Sequence, residues 1–287
     1  MNVFGVDVYE GTGTVDWGAV KSSQATFGIC KATEYHKDSR FDRNWQDIKS
    51  AGLDGRGAYH FLLTNRDVGD QAKMFVDTVG PLGPGDFGPI VDYEPDPDNG
   101  GAIPSAAQMA AYVDHLLQAY PDRRPIIYGN AGDLAGLGNQ FVGSCDLWIA
   151  HYGPNNGHPP NIQPPTAAWP RYHLWQYTSV GTVAGTAANC DLSLFNGSLD
   201  DLRQMVKEGV RPMFDPPLQI VAWCLIPGGL VAVAPDGAVF CEPANLYQGG
   251  ANGQAYFIGH KAARIQPNAR GGYDIIDTHG SNYSYPT

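Results

Sequence analysis

Two carboxylic acids, Asp92 and Glu94, stand two residues apart at the end of the apolar run Pro89–Glu94. Successive strand residues point to opposite faces, so an Asp-x-Glu pair at a strand end directs both acids to one side, about 6.6 Å apart at ~3.3 Å per residue. Such a pair suits general acid/base catalysis. Two solvated acids before a turn would give the same pattern, because Pro95 and Pro97 follow.

Other apolar runs in the first 195 residues also carry polar, reactive side chains, which favours a shared site. The runs and their polar residues are Val3–Val8 with Asp7, Phe27–Thr33 followed by Glu34, Gly57–Leu63 with His60, Pro89–Glu94 with the acid pair, Pro125–Gly129 with Tyr128, Leu147–Tyr152 with His151, Tyr172–Tyr177 with Gln176, and Cys190–Phe195 with Asp191.

Helix-period segments separate several of these runs, at Ser39–Ala51, Arg66–Val79 and Ser105–Tyr120. Ser105 is a suitable N-cap, and Gln108 completes a capping box. Alternating strands and helices imply parallel pairing through right-handed crossovers. Eight such strands can close into a barrel with its active site at the carboxyl ends of the strands. We therefore predict an α/β fold, an irregular (β/α)8-like barrel of the TIM type, followed by a small all-β C-terminal domain.

Short motifs follow one another along these runs: Gly5-Val6-Asp7-Val8, Val15-Asp16-Trp17, Phe27–Glu34, Gly57–Phe61, Asp92-Tyr93-Glu94, Leu147–Tyr152, Leu174–Ser179, Val183-Ala184-Gly185 and Cys190–Gly197. Their number, order and spacing resemble glycoside hydrolase family 25, over residues 3 to about 200. The family's lysozymes cleave between N-acetylmuramic acid and N-acetylglucosamine in bacterial peptidoglycan. The resemblance therefore implies a muramidase of the phage endolysin type, with peptidoglycan glycan strands as its partner.

The resemblance also implies that Asp7, Asp92, Glu94 and Asp191 form the family's acidic cluster. Glu94 is the predicted general acid, because the neighbouring acids would disfavour a further negative charge and raise its pKa. The spacing of the pair does not choose between mechanisms. We favour attack by the substrate's own N-acetyl group, oriented and stabilised by Asp92, and the alternative of Asp92 as a covalent nucleophile stays open.

Sugar contacts are predicted for residues that match family positions near the acid pair, namely Tyr59, Tyr128 and Tyr152, with Gln176 as a hydrogen-bonding partner. Aromatic faces stack on the apolar face of a pyranose. His60 and His151 are interpreted as structural, since no second His at ligand spacing supports a zinc site. We predict neither a metal nor a cofactor. Two loops depart from the family pattern, with Tyr9 where serine is usual and Tyr35 where glycine is common.

Composition limits the other functions. Lys and Arg number 18 against 29 Asp and Glu, a formal net charge of −11, so neither nucleic-acid binding nor a cationic membrane surface is predicted. The sequence contains no apolar run of about 18 residues, so membrane insertion is not predicted. The N-terminus lacks the pattern of a signal peptide, which favours retention in a host cytoplasm until release to the wall. A chain whose signal had been removed would show the same pattern.

Five cysteines, an odd number without metal-type spacing, fit a reducing compartment. Cys30, Cys145 and Cys190 are interpreted as packing residues.

The C-terminal part changes character after residue 209. Residues 1–209 are predicted to form the catalytic barrel, residues 210–217 a proline-containing linker, and residues 218–287 a small β-rich domain. Wall binding is its leading role by analogy, and a structural cap is the alternative. Cys224 and Cys241 are predicted to lie on the outer strands of a meander, about 9.6 Å apart and too far to bridge.

Two further function classes remain. A non-catalytic wall-binding or virion structural protein on the same scaffold would be expected to lose one or more cluster acids, and all four are present. A barrel hydrolase of another N-acetylhexosamine polymer, such as chitin, would keep the acid and change the substrate.

Overall fold

The computed structural model describes residues 3–187 and 189–207, and beyond them the backbone of seven strands between residues 222 and 285. The chain divides into two compact units, Met1–Met213 and Phe214–Thr287. The predicted linker at 210–217 lies outside the described residues. The domain limits 1–209 and 218–287 therefore stay predictions.

The first unit is a closed barrel of eight strands in sequential order, which confirms the predicted (β/α)8-like barrel, while the all-β C-terminal domain stays a prediction. The strands are β1 (Phe4–Val8), β2 (Phe27–Thr33), β3 (Gly55–Phe61), β4 (Ile90–Asp92), β5 (Ile126–Asn130), β6 (Asp146–Ala150), β7 (Leu174–Gly181) and β8 (Cys190–Phe195). The helices are α1 (Trp17–Ser22), α2 (Phe41–Ser50), α3 (Val68–Val79), α4 (Ala106–Ala119), α5 (Ala131–Leu134) and α6 (Leu199–Lys207). None of these helices in the described ranges is long and apolar enough to cross a membrane.

The expectation of uniformly parallel pairing was wrong for β8. Strands β1 to β7 pair in parallel, but β8 runs antiparallel to both β7 and β1. The physical reason is the short connection between β7 and β8. A parallel crossover needs a dozen or more residues, whereas residues 182–189 suffice only for a turn that reverses the chain.

Helix α4 begins where its capping chemistry predicts. The Ser105 hydroxyl accepts from the Gln108 backbone N–H at 3.2 Å, and Gln108 Oε1 accepts from the Ser105 N–H at 3.0 Å. This reciprocal pair satisfies two backbone donors that the first helical turn leaves unpaired. It confirms the predicted capping box.

The strands separate two apolar cores because their side chains alternate between two faces. The outer core lies between the strands and the helices and includes Cys30, Cys145 and Cys190, whose burial confirms that they are packing residues. The inner core fills the barrel with Phe27, Ile29, Ile90, Ile126 and Leu174, and with the α6 residues Leu202, Met205 and Val206. Apolar side chains thus close the amino end of the barrel.

The second unit contains β9 (Ala222–Ile226), β10 (Gly229–Val233), β11 (Ala238–Glu242), β12 (Ala255–Tyr256), β13 (Ala262–Pro267), β14 (Tyr273–Asp277) and β15 (Asn282–Tyr285). They pair in the orders β12-β11-β10-β9 and β13-β14-β15. Cys224 and Cys241 both stand opposite Val231, on the strands that flank β10. Their thiol state concerns side chains outside those described, so it stays a prediction, as does the role of this unit.

Candidate active site

Four acids meet at the carboxyl end of the barrel. Asp7 is the penultimate residue of β1, Asp92 is the last residue of β4, and Glu94 lies two residues beyond it. Asp191 is the second residue of β8 and pairs directly with Asp7. It reaches this end because β8 runs antiparallel, which corrects the expectation that its position would mark the carboxyl end of a parallel strand.

These acids line a cavity of about 220 Å³. Its lining includes all the residues that the sequence suggested as catalytic or sugar-binding: Asp7, Tyr59, Asp92, Glu94, Tyr128, Tyr152, Gln176 and Asp191. The structure thus brings this set together, while the role of each residue stays a prediction. A wider groove of about 640 Å³, lined by residues such as Trp17, Arg43 and Gly185, contains none of them.

The remaining lining residues are Tyr9, Lys31, Phe61 and Trp148. The sequence pattern marks Tyr9 as a departure from the family and does not single out the other three as site residues. The signal that could have found two of them is strand alternation. Lys31 follows Ile29 by two residues, and Phe61 follows Tyr59 by two, so each shares the inward face of its neighbour.

Gln176 joins the tyrosines to the acids. Its Oε1 accepts from the hydroxyls of Tyr128 and Tyr152, each at 2.6 Å, and its Nε2 donates to Asp7 Oδ1 at 2.9 Å. Gln176 is only 3% exposed, and burial of its amide strengthens these bonds by lowering the local dielectric. The network holds one Asp7 oxygen and both hydroxyls in place.

Two carboxylate oxygens at the cavity, Asp7 Oδ2 and Asp92 Oδ1, are buried without a hydrogen-bond partner among the residues that the structure describes. Leaving a buried acceptor unpaired costs about 1–3 kcal/mol. Both residues line the cavity, so a bound molecule that carries N–H or O–H groups can supply the missing donors.

Burial raises the pKa of every acid in the cluster, and neighbouring negative charges raise it further for Asp7, Asp92 and Glu94. Burial raises the pKa of Asp7 and Asp92 well above the usual value, with Asp191 adding to the effect on Asp7 and Glu94 to that on Asp92. Burial also raises the pKa of Asp191 to about 6. The pKa of Glu94 is raised by burial and then by the charges of Asp133 and Asp191, while a Tyr128 hydrogen bond lowers it.

Lys31 supplies the positive charge at this cavity wall. Its ammonium group forms an ion pair with Glu34 and lies 5.3 Å from the centroid of the Phe61 ring. The charge lowers the pKa of Asp92 and so offsets part of the increase caused by burial. Among the acids of the pair, Lys31 therefore favours ionisation of Asp92.

His60 has the structural role that the sequence predicts. It is fully buried, and its ring nitrogens lie 2.8 Å from Thr33 Oγ1 and 3.1 Å from Gln71 Oε1. Burial lowers its pKa to about 4, so the ring is neutral near pH 7. His151 is not among the residues that line the cavity, and its carbonyl accepts from Trp175 Nε1 at 2.8 Å.

Comparison with known proteins agrees with this arrangement. Residues 6–186 match the family described as Glycosyl hydrolases family 25. The chain belongs to this family. It is therefore a glycoside hydrolase of the lysozyme or muramidase type. The lysozymes of this family act on peptidoglycan.

Two relatives support the same assignment, and a third protein shares the fold. Lysozyme M1 of Streptomyces globisporus is 31% identical over 214 residues, which cover 68% of each chain. The crystal structure of a bacterial lysozyme from Streptomyces coelicolor is 29% identical with a TM-score of 0.64, and the match covers 72% of this chain and 98% of that one. The catalytic domain of endolysin ply40 from a Listeria monocytogenes bacteriophage shares the fold, at 21% identity and a TM-score of 0.59, covering 71% of this chain and 98% of that domain.

Proposed function

We propose that this family 25 lysozyme hydrolyses the β-1,4 bond between N-acetylmuramic acid and N-acetylglucosamine, with Glu94 as the general acid. The observation that carries the proposal is the environment of Glu94. It is a partly buried carboxyl group at a cavity lined by three other acids, and its pKa is raised by burial and neighbouring charge. A carboxyl group with a raised pKa keeps its proton to higher pH than an ordinary glutamate and can give it to the leaving oxygen.

In this proposal Asp92 acts on the substrate's N-acetyl group. Its unpartnered Oδ1 can accept the N–H of the acetamide, which turns the acetamide oxygen towards the anomeric carbon. Lys31 lowers the Asp92 pKa and so acts towards the ionised form that this role requires, against burial and the Glu94 charge, which raise that pKa. Asp7, oriented by Gln176, stabilises in its ionised form the positive charge developing on the sugar.

Digestion of purified peptidoglycan tests the proposed bond. We expect new reducing ends that carry N-acetylmuramic acid, identified by borohydride reduction and mass spectrometry of the fragments. N-acetylglucosamine at the new ends would indicate a glucosaminidase, and released amino groups without new reducing ends would indicate an amidase. Either result would overturn the assignment. The full-length Glu94→Gln variant is the control for contaminating hydrolases.

A second experiment separates the two mechanisms open to Asp92. If the N-acetyl group attacks, a chemically N-deacetylated glycan should not be cleaved, because the internal nucleophile is absent. A covalent Asp92 nucleophile would still cleave it and would leave a glycosyl-enzyme detectable by mass spectrometry after rapid acid quenching. Asp92→Asn should be nearly as inactive as Glu94→Gln under both mechanisms, so it serves only as the blank.

A further inference from the structure

We propose that Tyr9 is a stacking platform for a second sugar of the same glycan strand, next to the unit held in the acidic cavity. The inference rests on the proposed function for the identity of the glycan. It assigns Tyr9 to affinity and substrate length rather than to the chemical step.

Tyr9 is an exposed aromatic ring at the edge of the catalytic cavity. The residue is 46% exposed and still lines the cavity with the four acids. The other large hydrophobic residues exposed in the described part of the chain are aliphatic and do not line it: Ile103, Ile162 and Val180. Tyr9 is thus placed to offer an open aromatic face beside the reacting centre.

The Tyr9 ring packs against the backbone of its own loop, which fixes its position. A Cβ atom built on Gly11 would stand 2.4 Å from Tyr9 Cε2 and 2.5 Å from Cζ, so the ring packs on the glycine backbone. The Tyr9 N–H donates to Thr12 Oγ1 at 3.2 Å, and the Glu10 N–H donates to the buried Asp38 at 2.8 Å. A ring fixed before binding loses little conformational entropy when a ligand covers it.

The neighbours of the ring favour a sugar as its ligand. Lys31, on the cavity wall, lies 6.0 Å from the Tyr9 centroid and 5.3 Å from the Phe61 centroid, so the two rings border one charged group. A pyranose combines an apolar C–H face, which can cover Tyr9, with polar groups at its edge, which can reach Lys31. A polymer extends beyond a cavity of about 220 Å³, so its next unit must pass over the rim.

Binding measured without turnover tests the proposal. Full-length Glu94→Gln protein would be titrated calorimetrically with soluble, peptide-free oligosaccharides of alternating N-acetylglucosamine and N-acetylmuramic acid. Adding Tyr9→Ser to this background should raise Kd roughly tenfold. Adding Tyr9→Phe instead, which keeps the ring, should retain most of the affinity. Val180→Ser is the matched control, because Val180 is an exposed apolar residue away from the cavity lining.

Gly11→Ala gives an independent variant that keeps the ring and displaces it. Its added methyl group must push Tyr9 off the backbone, so Kd should rise several-fold. In the Tyr9→Ser background the same change should add almost nothing, since the ring is already gone. Equal effects in both backgrounds would mean that Gly11 acts through the loop rather than through Tyr9, and would contradict the proposal.

Kinetics separate this inference from the function on which it rests. With Glu94 intact, Tyr9→Ser should raise KM for the oligosaccharides roughly tenfold and leave kcat within about twofold, the signature of lost uniform binding. Hydrolysis with an unchanged KM and Kd would overturn the role of Tyr9 and leave the muramidase proposal standing. Tyr9-dependent binding by a wild-type protein that cleaves no peptidoglycan would do the reverse.

Discussion

Asp86 and Asp92 are both buried carboxylates, 2% and 8% exposed, at opposite ends of the same barrel. Asp86 bridges to the start of β3, where Arg56 donates to both of its oxygens at 2.8 and 2.9 Å and the Gly83 N–H donates at 2.9 Å. Asp92, at the end of β4, has one unpartnered oxygen and Glu94 as a close neighbour. The same residue type therefore occupies two opposite electrostatic environments.

The difference separates stability from function. At the amino end, Arg56 also stacks on the Trp45 ring at 3.5 Å, and Arg123 donates to the carbonyls of Asp86 and Gly83. Charges there are neutralised and hydrogen-bonded. At the carboxyl end, carboxyl groups are crowded and two of their buried oxygens lack a hydrogen-bond donor among the described residues, which lowers the stability of the fold.

The largest expected effect is on catalysis at the carboxyl end of the barrel. Glu94→Gln should lower turnover of peptidoglycan by a factor of about 10² or more, because the glutamine cannot donate the required proton. Its thermal unfolding midpoint should stay close to that of the wild type. Glu10→Gln is the matched control, since Glu10 is exposed and pairs with Ser39. Lysis by Glu94→Gln at the wild-type rate would refute the assignment of the acid.

The next effect is on stability at the opposite end. Arg56→Met should lower the free energy of unfolding by about 3–5 kcal/mol, because it leaves Asp86 buried without its counter-charge. Urea denaturation followed by tryptophan fluorescence measures this. Arg56→Met combined with Asp86→Leu should recover part of the loss. A loss below about 1 kcal/mol in the single variant would show that the ion pair does not hold this end together.

Removing a buried acid at the carboxyl end of the barrel should instead raise the free energy of unfolding. Burial raises the Asp191 pKa from 3.8 to about 6, so its favourable contribution below about pH 4 is lost as the pH rises through 6. Asp191→Asn should therefore stabilise the protein by about 1–3 kcal/mol at pH 7 and little at pH 4, while activity falls. Unfolding measured at both pH values provides the check. Destabilisation at pH 7 would contradict the idea that this end stores unfavourable charge.

The smallest expected effect is on the pKa of Glu94. Asp133, held beside it by Asn130 at the start of α5, is the neighbouring charge that most raises the Glu94 pKa. Asp133→Asn should lower this pKa, so the alkaline limb of the pH–activity profile moves to lower pH with little change at the optimum. Asp114→Asn, an exposed acid on α4, should leave the limb in place. An unmoved limb in Asp133→Asn would remove Asp133 from the account.

Local sequence determined much of this protein. The Asp92–Glu94 spacing, the Ser105 capping box and the alternating apolar runs act between near neighbours, so their consequences could be predicted. Strand alternation extends the same logic to Lys31 and Phe61, which share the inward faces of Ile29 and Tyr59. Eight runs and their intervening helices were enough to predict a closed barrel.

Tertiary structure decided the direction of β8 and, with it, the meeting of Asp7 and Asp191 across an antiparallel ladder. It also decided that Gln176 would reach Asp7 across 169 residues of sequence and that Arg56 would neutralise Asp86. Strand direction depends on the length and packing of connections. The pKa values depend on burial and on distances between groups remote in the chain. Neither strand direction nor these pKa values can be predicted from a local pattern, because both depend on contacts that form only when the barrel closes.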